Sequence, residues 1–471
     1  MDALKRPLLG LGRHLSAHPY LVMAVAVLAC VLTLGLFAER PERPDAFDAE
    51  QYLAAAYHLA HHGVFSESRL SEAPPPGMGR EPGYALLLAG LMTLDGSFAS
   101  FEPGCFAAER DCRGLYTVPQ WANVGFLAAA GVLVFLAARA LFGSLAAAFA
   151  AGGHIWLNHQ AHDGLFYLVS DYFAVFLLAL GALAVVWAWR RPSLLAWVGV
   201  GAALAALTLT KAVYLYYALP LGLCLVPVAL WQARTRRRLL LSLAAAALTY
   251  AGAVGGWMAR NHEVGGVFAL TQTRGGIALS TREVLNHMSP AQYGAAFVYW
   301  TRGFGDNLAR RLYPEAVWGP FELGNPEGFY LRGQLGYGTR VETLMRERGL
   351  ARRDAEAEID RQLRAALLSD LPVYAATTLP VFYRGIWIDE FIVVSLPGLI
   401  WLALWALRRR RWDVILVAAP GAFSLVFYAL FSLNIPRYQL TALPALAVAT
   451  GFLAWRLQAW WLARRGAEPS P

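Results

Sequence analysis

Two acids and three cations sit at the edges of apolar runs in this chain, and their types suit one kind of chemistry. Asp48 opens "DAEQY", with Asp45 and Glu50 close by. Asp171 stands in "LVSDYF", where another apolar run begins, and Lys211 stands in "LTLTKAVYLYY", between two such runs. Arg260 lies in "GWMARNH" and Arg437 in "NIPRY". Ionisable residues at membrane depth are expensive, so each is a functional candidate. A carboxylate that takes a proton, with fixed cations beside it, suits an anionic lipid headgroup and a group that must be deprotonated. Each residue also has a plainer role. "DAEQ" loosely fits a capping box, so Asp48 also reads as a helix cap, and Asp171 reads the same way. Lys211 also reads as a side chain snorkelling to the interface, and Arg260 and Arg437 as membrane-edge anchors. One by one the plainer roles suffice; gathered on one face they explain less. His58, His61 and His62 read as a polar helix face in preference to metal ligands.

The elements that must position these residues follow from hydropathy. The chain has 471 residues, 57% of them hydrophobic, and its mean hydropathy is +0.43. Only 15% are charged, against about a quarter in soluble proteins. Long apolar runs recur to the end, so an all-α, polytopic membrane protein is expected. The net charge of +8 is no nucleic-acid signal, because the cations fall in short clusters between apolar runs, as the positive-inside rule requires. Lys5, Arg6 and Arg13 put the N-terminus inside. The run Tyr20–Phe37 is too long for a cleavable signal and no A-x-A site follows it. Alternating spans follow: Pro19–Phe37, Val118–Phe142, Ser144–Leu157, Asp171–Trp189, Leu194–Thr210, Ala212–Trp231, Leu239–Met258, Phe391–Leu407, Val414–Phe431 and Tyr438–Ala454. That is about ten spans, with both termini and the arginine clusters Arg234–Arg238 and Arg408–Arg411 inside. Tyr84–Leu94 is too short to cross and is expected to dip into the outer leaflet.

Three regions result: 1–260, an N-terminal module with the first outer loop at 39–117; 261–390, an outer region with amphipathic helices; and 391–471, the C-terminal spans. In the outer region, Ala355, Ile359, Leu363, Ala366 and Leu367 recur at helical spacing among charges. A helix on the membrane face or the outer loops, or a solvated connector, fits equally. "LPVYAATTLPVFYRGIW" is expected to be a second interfacial piece broken by Pro372 and Pro380, not a span. Cys105 and Cys112 fall outside and are expected to pair in an oxidising compartment. Cys30 and Cys224 lie in apolar runs and are expected to be inert. No internal repeat is evident.

The ordered motifs resemble a known family: polytopic glycosyltransferases of the GT-C fold, such as dolichyl-phosphate-mannose protein mannosyltransferases and bacterial lipid A aminoarabinose transferases. "DAEQY" (Asp48 to Tyr52) resembles the family's D-E-x-x-Y, and "REPGYALLLAG" (Arg80 to Gly90) its R-x-P-x-Y-P-L segment. "LVSD" resembles its second acidic site, and "LTLTK", "WMARN" and "PRYQLTALP" fit the pattern in order. The resemblance implies a GT-C-like helical bundle with the catalytic carboxylate at Asp48. It implies that Asp171 is a second acid, positioning Asp48, the acceptor or a divalent ion shared between the two. Arg80, Tyr84, Lys211, Arg260, Arg437 and Tyr438 become the expected substrate contacts. The implied activity is inverting transfer of one sugar from a polyprenyl-phosphate carrier to an extracytoplasmic lipid, glycan or protein, in a bacterial inner membrane. No nucleic-acid partner is implied. Two departures stand out. Glu81-Pro82 replaces the Lys-Pro of the aminoarabinose transferases, so the carrier phosphate needs another cation, with Arg80 as a candidate. The W-W-D signature and the large soluble domain of oligosaccharyltransferases are absent, which argues against transfer of whole oligosaccharides to Asn. The rival class is a lipid or lipid-linked-sugar transporter that uses the same cations without chemistry; such folds often carry inverted repeats.

Overall fold

The computed structural model describes residues 18–45, 48–68, 73–102, 105, 111–231, 236–272 and 274–465, with backbone alone at 224–231 and 236. Lys5, Arg6, Arg13 and Arg234 lie outside the described residues, as do the side chains of Cys224 and Arg236. The described chain is helical, with no β-strand among the described residues. Among the described residues seven helices are long and apolar enough to cross a membrane: Pro19–Phe37, Arg113–Phe142, Asp171–Arg190, Arg237–Gly265, Ile392–Arg409, Trp412–Phe431 and Pro436–Arg464. Of the other three expected spans, two are the shorter apolar helices Leu145–Trp156 and Leu194–Thr210, and the third is the helix Val213–Trp231, of 19 residues. At about 1.5 Å per residue, a helix of 12 residues such as Leu145–Trp156 falls well short of a bilayer core about 30 Å thick. Pro82–Leu94, with 13 residues, is short for the same reason.

The chain forms two compact units. One comprises Met1–Leu270, Glu390–Gly421 and Thr441–Pro471. Local sequence sets its turns. Gly143 takes a left-handed conformation (φ +69°) and ends the helix from Thr117, and Ser144 then caps the next by accepting from the Ala147 N–H at 3.2 Å. Ser193 caps the Leu194–Thr210 helix by accepting from Ala196 N–H at 3.1 Å. Helix–helix contact relies on small residues, as expected where lipid and side chains are equally apolar. At Gly131 a Cβ would collide with the Trp156 indole, whose Nε1 donates to the Ala128 carbonyl at 3.1 Å. The Leu443–Arg464 helix packs against Leu145–Trp156 and Ile392–Arg409, and Leu194–Thr210 against Arg236–Gly265 and Asp171–Arg190.

The other unit comprises Thr271–Asp389 and Ala422–Leu440. Its core gathers Leu285, Trp300, Phe321, Phe329 and Val381, with a second cluster of Tyr337, Val341, Leu344, Ala355, Ile359 and Leu363. The expected apolar stripe lies on the helix Arg352–Ser369, which follows Phe329–Arg348 across Gly349, at φ +63°. Ala355, Ile359, Leu363 and Leu367 are buried, but Ala366 is exposed. The apolar stripe is covered by protein, since this helix packs on Arg274–Leu285 and Phe329–Arg348. Neither expected proline breaks the following helix, Leu371–Ile386. Pro372 occupies its first turn, where the missing N–H has no partner to lose, and Pro380 lies inside it. The chain instead bends by 95° between Ser369 and Leu371.

Cys105 and Cys112 are joined in a disulfide, with Cα atoms 5.6 Å apart, while Arg408, Arg409 and Arg410 are exposed at the far end of a long apolar helix. With otherwise cysteine-free protein, Ser100→Cys, an exposed position in the loop before the disulfide, is expected to react with an impermeant maleimide in intact cells. Arg409→Cys is expected to react only after permeabilisation; the opposite pattern would invert the topology.

Candidate functional site

The site begins with the Asp48–His62 helix. Asp48 and Glu50 lie in its first turn, where carboxylates complement the positive end of the helix dipole. Ala49, Tyr52, Leu53 and Ala56 are buried, and the helix packs against Pro82–Leu94. Asp48 is the first residue of the helix, and its Oδ1 accepts from Arg80 Nη2 at 2.6 Å. Arg80 Nε donates to Gln51 Oε1, and the guanidinium stands 5.0 Å from the centroid of the Tyr52 ring. Residues 48, 51 and 52 share one helix face, so a single guanidinium grips all three. The Arg80 side chain is almost wholly buried, whereas that of Asp48 keeps 32% of its surface exposed. The carboxylate is therefore held on one side and open on the other.

The residue after Arg80 carries the arrangement to two more helices. Buried Glu81 accepts from the Tyr52 hydroxyl at 3.3 Å and from the Ala212 backbone N–H at 3.2 Å. Tyr52 also shares a hydrogen bond of 3.2 Å with Ser170 Oγ. Ser170 precedes Asp171, the buried first residue of the Asp171–Arg190 helix, and Asp171 Oδ1 accepts from Lys211 Nζ at 2.8 Å. The approach of these segments depends on Gly83, where a Cβ would stand 2.9 Å from the Leu209 carbonyl oxygen. The Asp48–Arg80 and Asp171–Lys211 pairs are thus brought together by Tyr52, Glu81 and Ser170, which contact them or their chain neighbours. Tyr84 is buried and meets Tyr52 edge-on, with ring centroids 5.4 Å apart.

The remaining expected residues have other settings. Arg260 Nη1 donates to the Gly77 carbonyl at 2.5 Å and to Asn261 Oδ1 at 2.9 Å, and Nη2 to the Phe65 carbonyl at 3.3 Å. It lies over the Trp257 ring at 4.9 Å. Arg260 therefore holds the two ends of the Pro/Gly-rich loop that leads into Arg80; inside that loop Glu67 accepts from the N–H groups of Met78 and Gly79. Asp45 is buried and accepts from Arg43 Nε at 3.0 Å and from the Tyr116 hydroxyl at 3.3 Å, so it anchors the first loop. Arg437 and Tyr438 belong to the second unit, where Tyr438 packs on Tyr428 with ring centroids 5.3 Å apart. His58 hydrogen-bonds the Ser68 carbonyl at 3.1 Å, and burial pushes its pKa down.

Gln51, Glu81 and Ser170 contact the candidate residues or their neighbours, and the motifs did not single them out as such. Glu81 left one signal, an acid where a cation was expected. Asp48 and Asp171 each face a cation, and among the described residues no three His, Cys, Asp or Glu side chains gather to hold an ion.

No family model matches the chain, and no curated protein matches it. Among solved structures it is similar to the oligosaccharyltransferase of Archaeoglobus fulgidus, crystallised in complex with Zn and sulfate, at 14% identity and a TM-score of 0.45, over 94% of this chain and 50% of that one. It is also similar to ArnT from Cupriavidus metallidurans bound to undecaprenyl phosphate, at 16% identity and a TM-score of 0.37, over 95% of this chain and 80% of that one. The chain spans about half the length of the oligosaccharyltransferase it resembles. At these identities the likeness concerns the fold alone.

The Lys211–Asp171 pair is 15% and 2% exposed at its side chains. Removing one partner of such a pair strands a buried charge and costs about 3–5 kcal/mol. Lys211→Met is expected to lose stability on that scale in thermal or denaturant unfolding, and adding Asp171→Asn is expected to restore part of the loss. An unchanged Lys211→Met midpoint would show that the pair does not hold these helices.

Proposed function

We propose that this protein is a membrane glycosyltransferase that moves one sugar from a polyprenyl-phosphate carrier to an acceptor hydroxyl on the extracytoplasmic face. The observation that carries the reading is the state of Asp48: fixed by Arg80, yet open over a third of its side chain, with the Asp171–Lys211 pair brought near through Tyr52, Glu81 and Ser170. The Cys105–Cys112 disulfide supports an extracytoplasmic setting, since such bonds persist in oxidising compartments.

In this reading the acceptor oxygen attacks the anomeric carbon while the bond from that carbon to the phosphate oxygen breaks. The electron pair leaves with the phosphate, which departs as a stable anion and needs no general acid. The acceptor proton passes to the Asp48 carboxylate. One direct displacement inverts the anomeric centre, and one carboxylate suffices, unlike the pair in a glycosidase. Arg80 orients Asp48 instead of meeting the phosphate, because its guanidinium is already engaged with Asp48 and Gln51. Lys211 is the proposed phosphate contact: Asp171 uses one of its N–H donors, and an ammonium has three. Arg260 and Tyr84 are proposed to line the donor path within the first unit, and Asp171 to hold Lys211 in place.

The test is Asp48→Asn in proteoliposomes supplied with polyprenyl-phosphate-linked sugars. Loss of a general base lowers the rate by roughly 10²–10⁴-fold; Asn keeps an oxygen that accepts from Arg80, so the variant is expected to fold and insert with a loss of stability smaller than that of a full truncation, checked by its unfolding midpoint. Asn caps helices as well as Asp does, so a purely capping Asp48 would give wild-type transfer and refute the assignment. Asp45→Asn is expected to lose less activity. A wild-type protein that moves lipid-linked sugar across the bilayer without transferring it would favour the transporter class.

A further inference from the structure

The second unit contains two buried arginines, and they are treated very differently by their surroundings. Arg282 is fully buried, and both of its terminal nitrogens donate: Nη1 to Asn286 Oδ1 at 2.5 Å, and Nη2 to the Tyr374 carbonyl at 2.8 Å, Thr377 Oγ1 at 3.1 Å and Thr378 Oγ1 at 2.8 Å, while its Nε has no acceptor among the described residues. Its guanidinium also lies 4.4 Å from the Tyr374 ring centroid. This is how a structural arginine is accommodated: a ring face plus a set of acceptors.

Arg384, on the Leu371–Ile386 helix, has the ring without the acceptors. It is 7% exposed, and its guanidinium stands 5.0 Å from the centroid of Trp300, itself buried. Among the described residues no carboxylate pairs with it and no oxygen accepts a hydrogen bond from it. Half-buried Tyr299 and Tyr330 pack on the core that holds Trp300 and, on the same helix as Arg384, Val381, and the charges of Tyr299, Tyr330 and Tyr438 act on the guanidinium. A guanidinium presents five N–H donors in a planar fork and does not deprotonate in proteins. Removing it from water is unfavourable unless it is both paired and hydrogen-bonded. A ring face satisfies the charge in part and none of the donors.

We propose that Arg384, with Trp300 and the hydroxyls of Tyr299, Tyr330 and Tyr438, forms a binding site for an oxyanion, a phosphate or carboxylate borne by a sugar or a lipid headgroup. Two oxygens of such a group match the guanidinium fork, and the tyrosine hydroxyls are donors for the others. Trp300 is the floor that keeps the fork in one plane. Binding of this anion is independent of the role of Asp48, and none of the measurements below involves sugar transfer.

The full-length protein in zwitterionic nanodiscs is titrated with inorganic phosphate and with glucuronate at constant ionic strength, against chloride and methyl glucoside, with the thermal unfolding midpoint as readout. One or both oxyanions are expected to raise the wild-type midpoint, and chloride and methyl glucoside are not. Arg384→Gln is expected to weaken binding by about tenfold or more, the scale of one charge-assisted contact. Arg384→Lys keeps the charge and loses the fork; it is expected to bind severalfold more weakly than wild type and serves as the decisive variant where the Gln form does not fold. A response to glucuronate alone assigns a carboxylated sugar. A phosphate response that disappears when phosphatidylglycerol is added to the nanodisc assigns a lipid headgroup. A wild-type midpoint that is the same in phosphate, glucuronate and chloride overturns the proposal, as does wild-type affinity in either variant.

Discussion

The contact between Arg80 and Asp48 ties the site to the scaffold. A carboxylate on the first turn of a helix is free to adopt several rotamers, and the role proposed for Asp48 needs one of them held. Arg80 removes that freedom from the buried side, gripping Asp48, Gln51 and the Tyr52 ring together. Arg80 is itself placed by the loop that Arg260 and Glu67 hold through backbone groups of Phe65, Gly77, Met78 and Gly79. The residues that look free in the sequence are therefore partly structural, and one edge of Asp48 remains exposed.

Glu81 is the sharpest departure from the resembled pattern, and its surroundings explain why an acid is tolerated among cations. It faces the Ala212 N–H and the Tyr52 hydroxyl, two donors that a lysine would leave without an acceptor. A buried polar group survives only when it is hydrogen-bonded. Replacing the expected cation with an acid thus changes what the position does: it joins the start of the Pro82–Leu94 helix to the segment that bears Lys211. Gly83 permits this by letting the helix start approach the Leu209 carbonyl closely.

The two units solve the problem of buried charge in different ways. In the first, buried cations meet carboxylates directly, as Lys211 meets Asp171 and Arg80 meets Asp48. In the second, Arg282 relies on neutral acceptors and an aromatic face, and burial lowers its pKa to about 10. Neutral acceptors offset the lost hydration without cancelling the charge, so such a guanidinium keeps a preference for an anion.

Much of this was legible in one dimension. Apolar runs about as long as a bilayer is thick specify spanning helices whatever they pack against, and seven of the described helices meet that length. The Ala355–Ile359–Leu363–Leu367 stripe was readable because a helix repeats every 3.6 residues, and the proximity of Cys105 and Cys112 because only six residues separate them. Asp48, Asp171 and Lys211 could be named because charge beside an apolar run is rare and expensive. Their partners could not be named. Arg80 lies 32 residues from Asp48, Lys211 lies 40 from Asp171, and Glu81 lies 131 from Ala212. No periodicity reaches across such separations, and each side chain had a plainer role of equal local merit. The sequence by itself determined which residues are charged, where helices start and stop, and which faces are apolar, because those depend on neighbours within a few turns. Only the tertiary structure decided which charge meets which, because pairing depends on distances that packing sets. It also decided that Arg260 holds a loop and that Arg384 meets a ring with no acceptor.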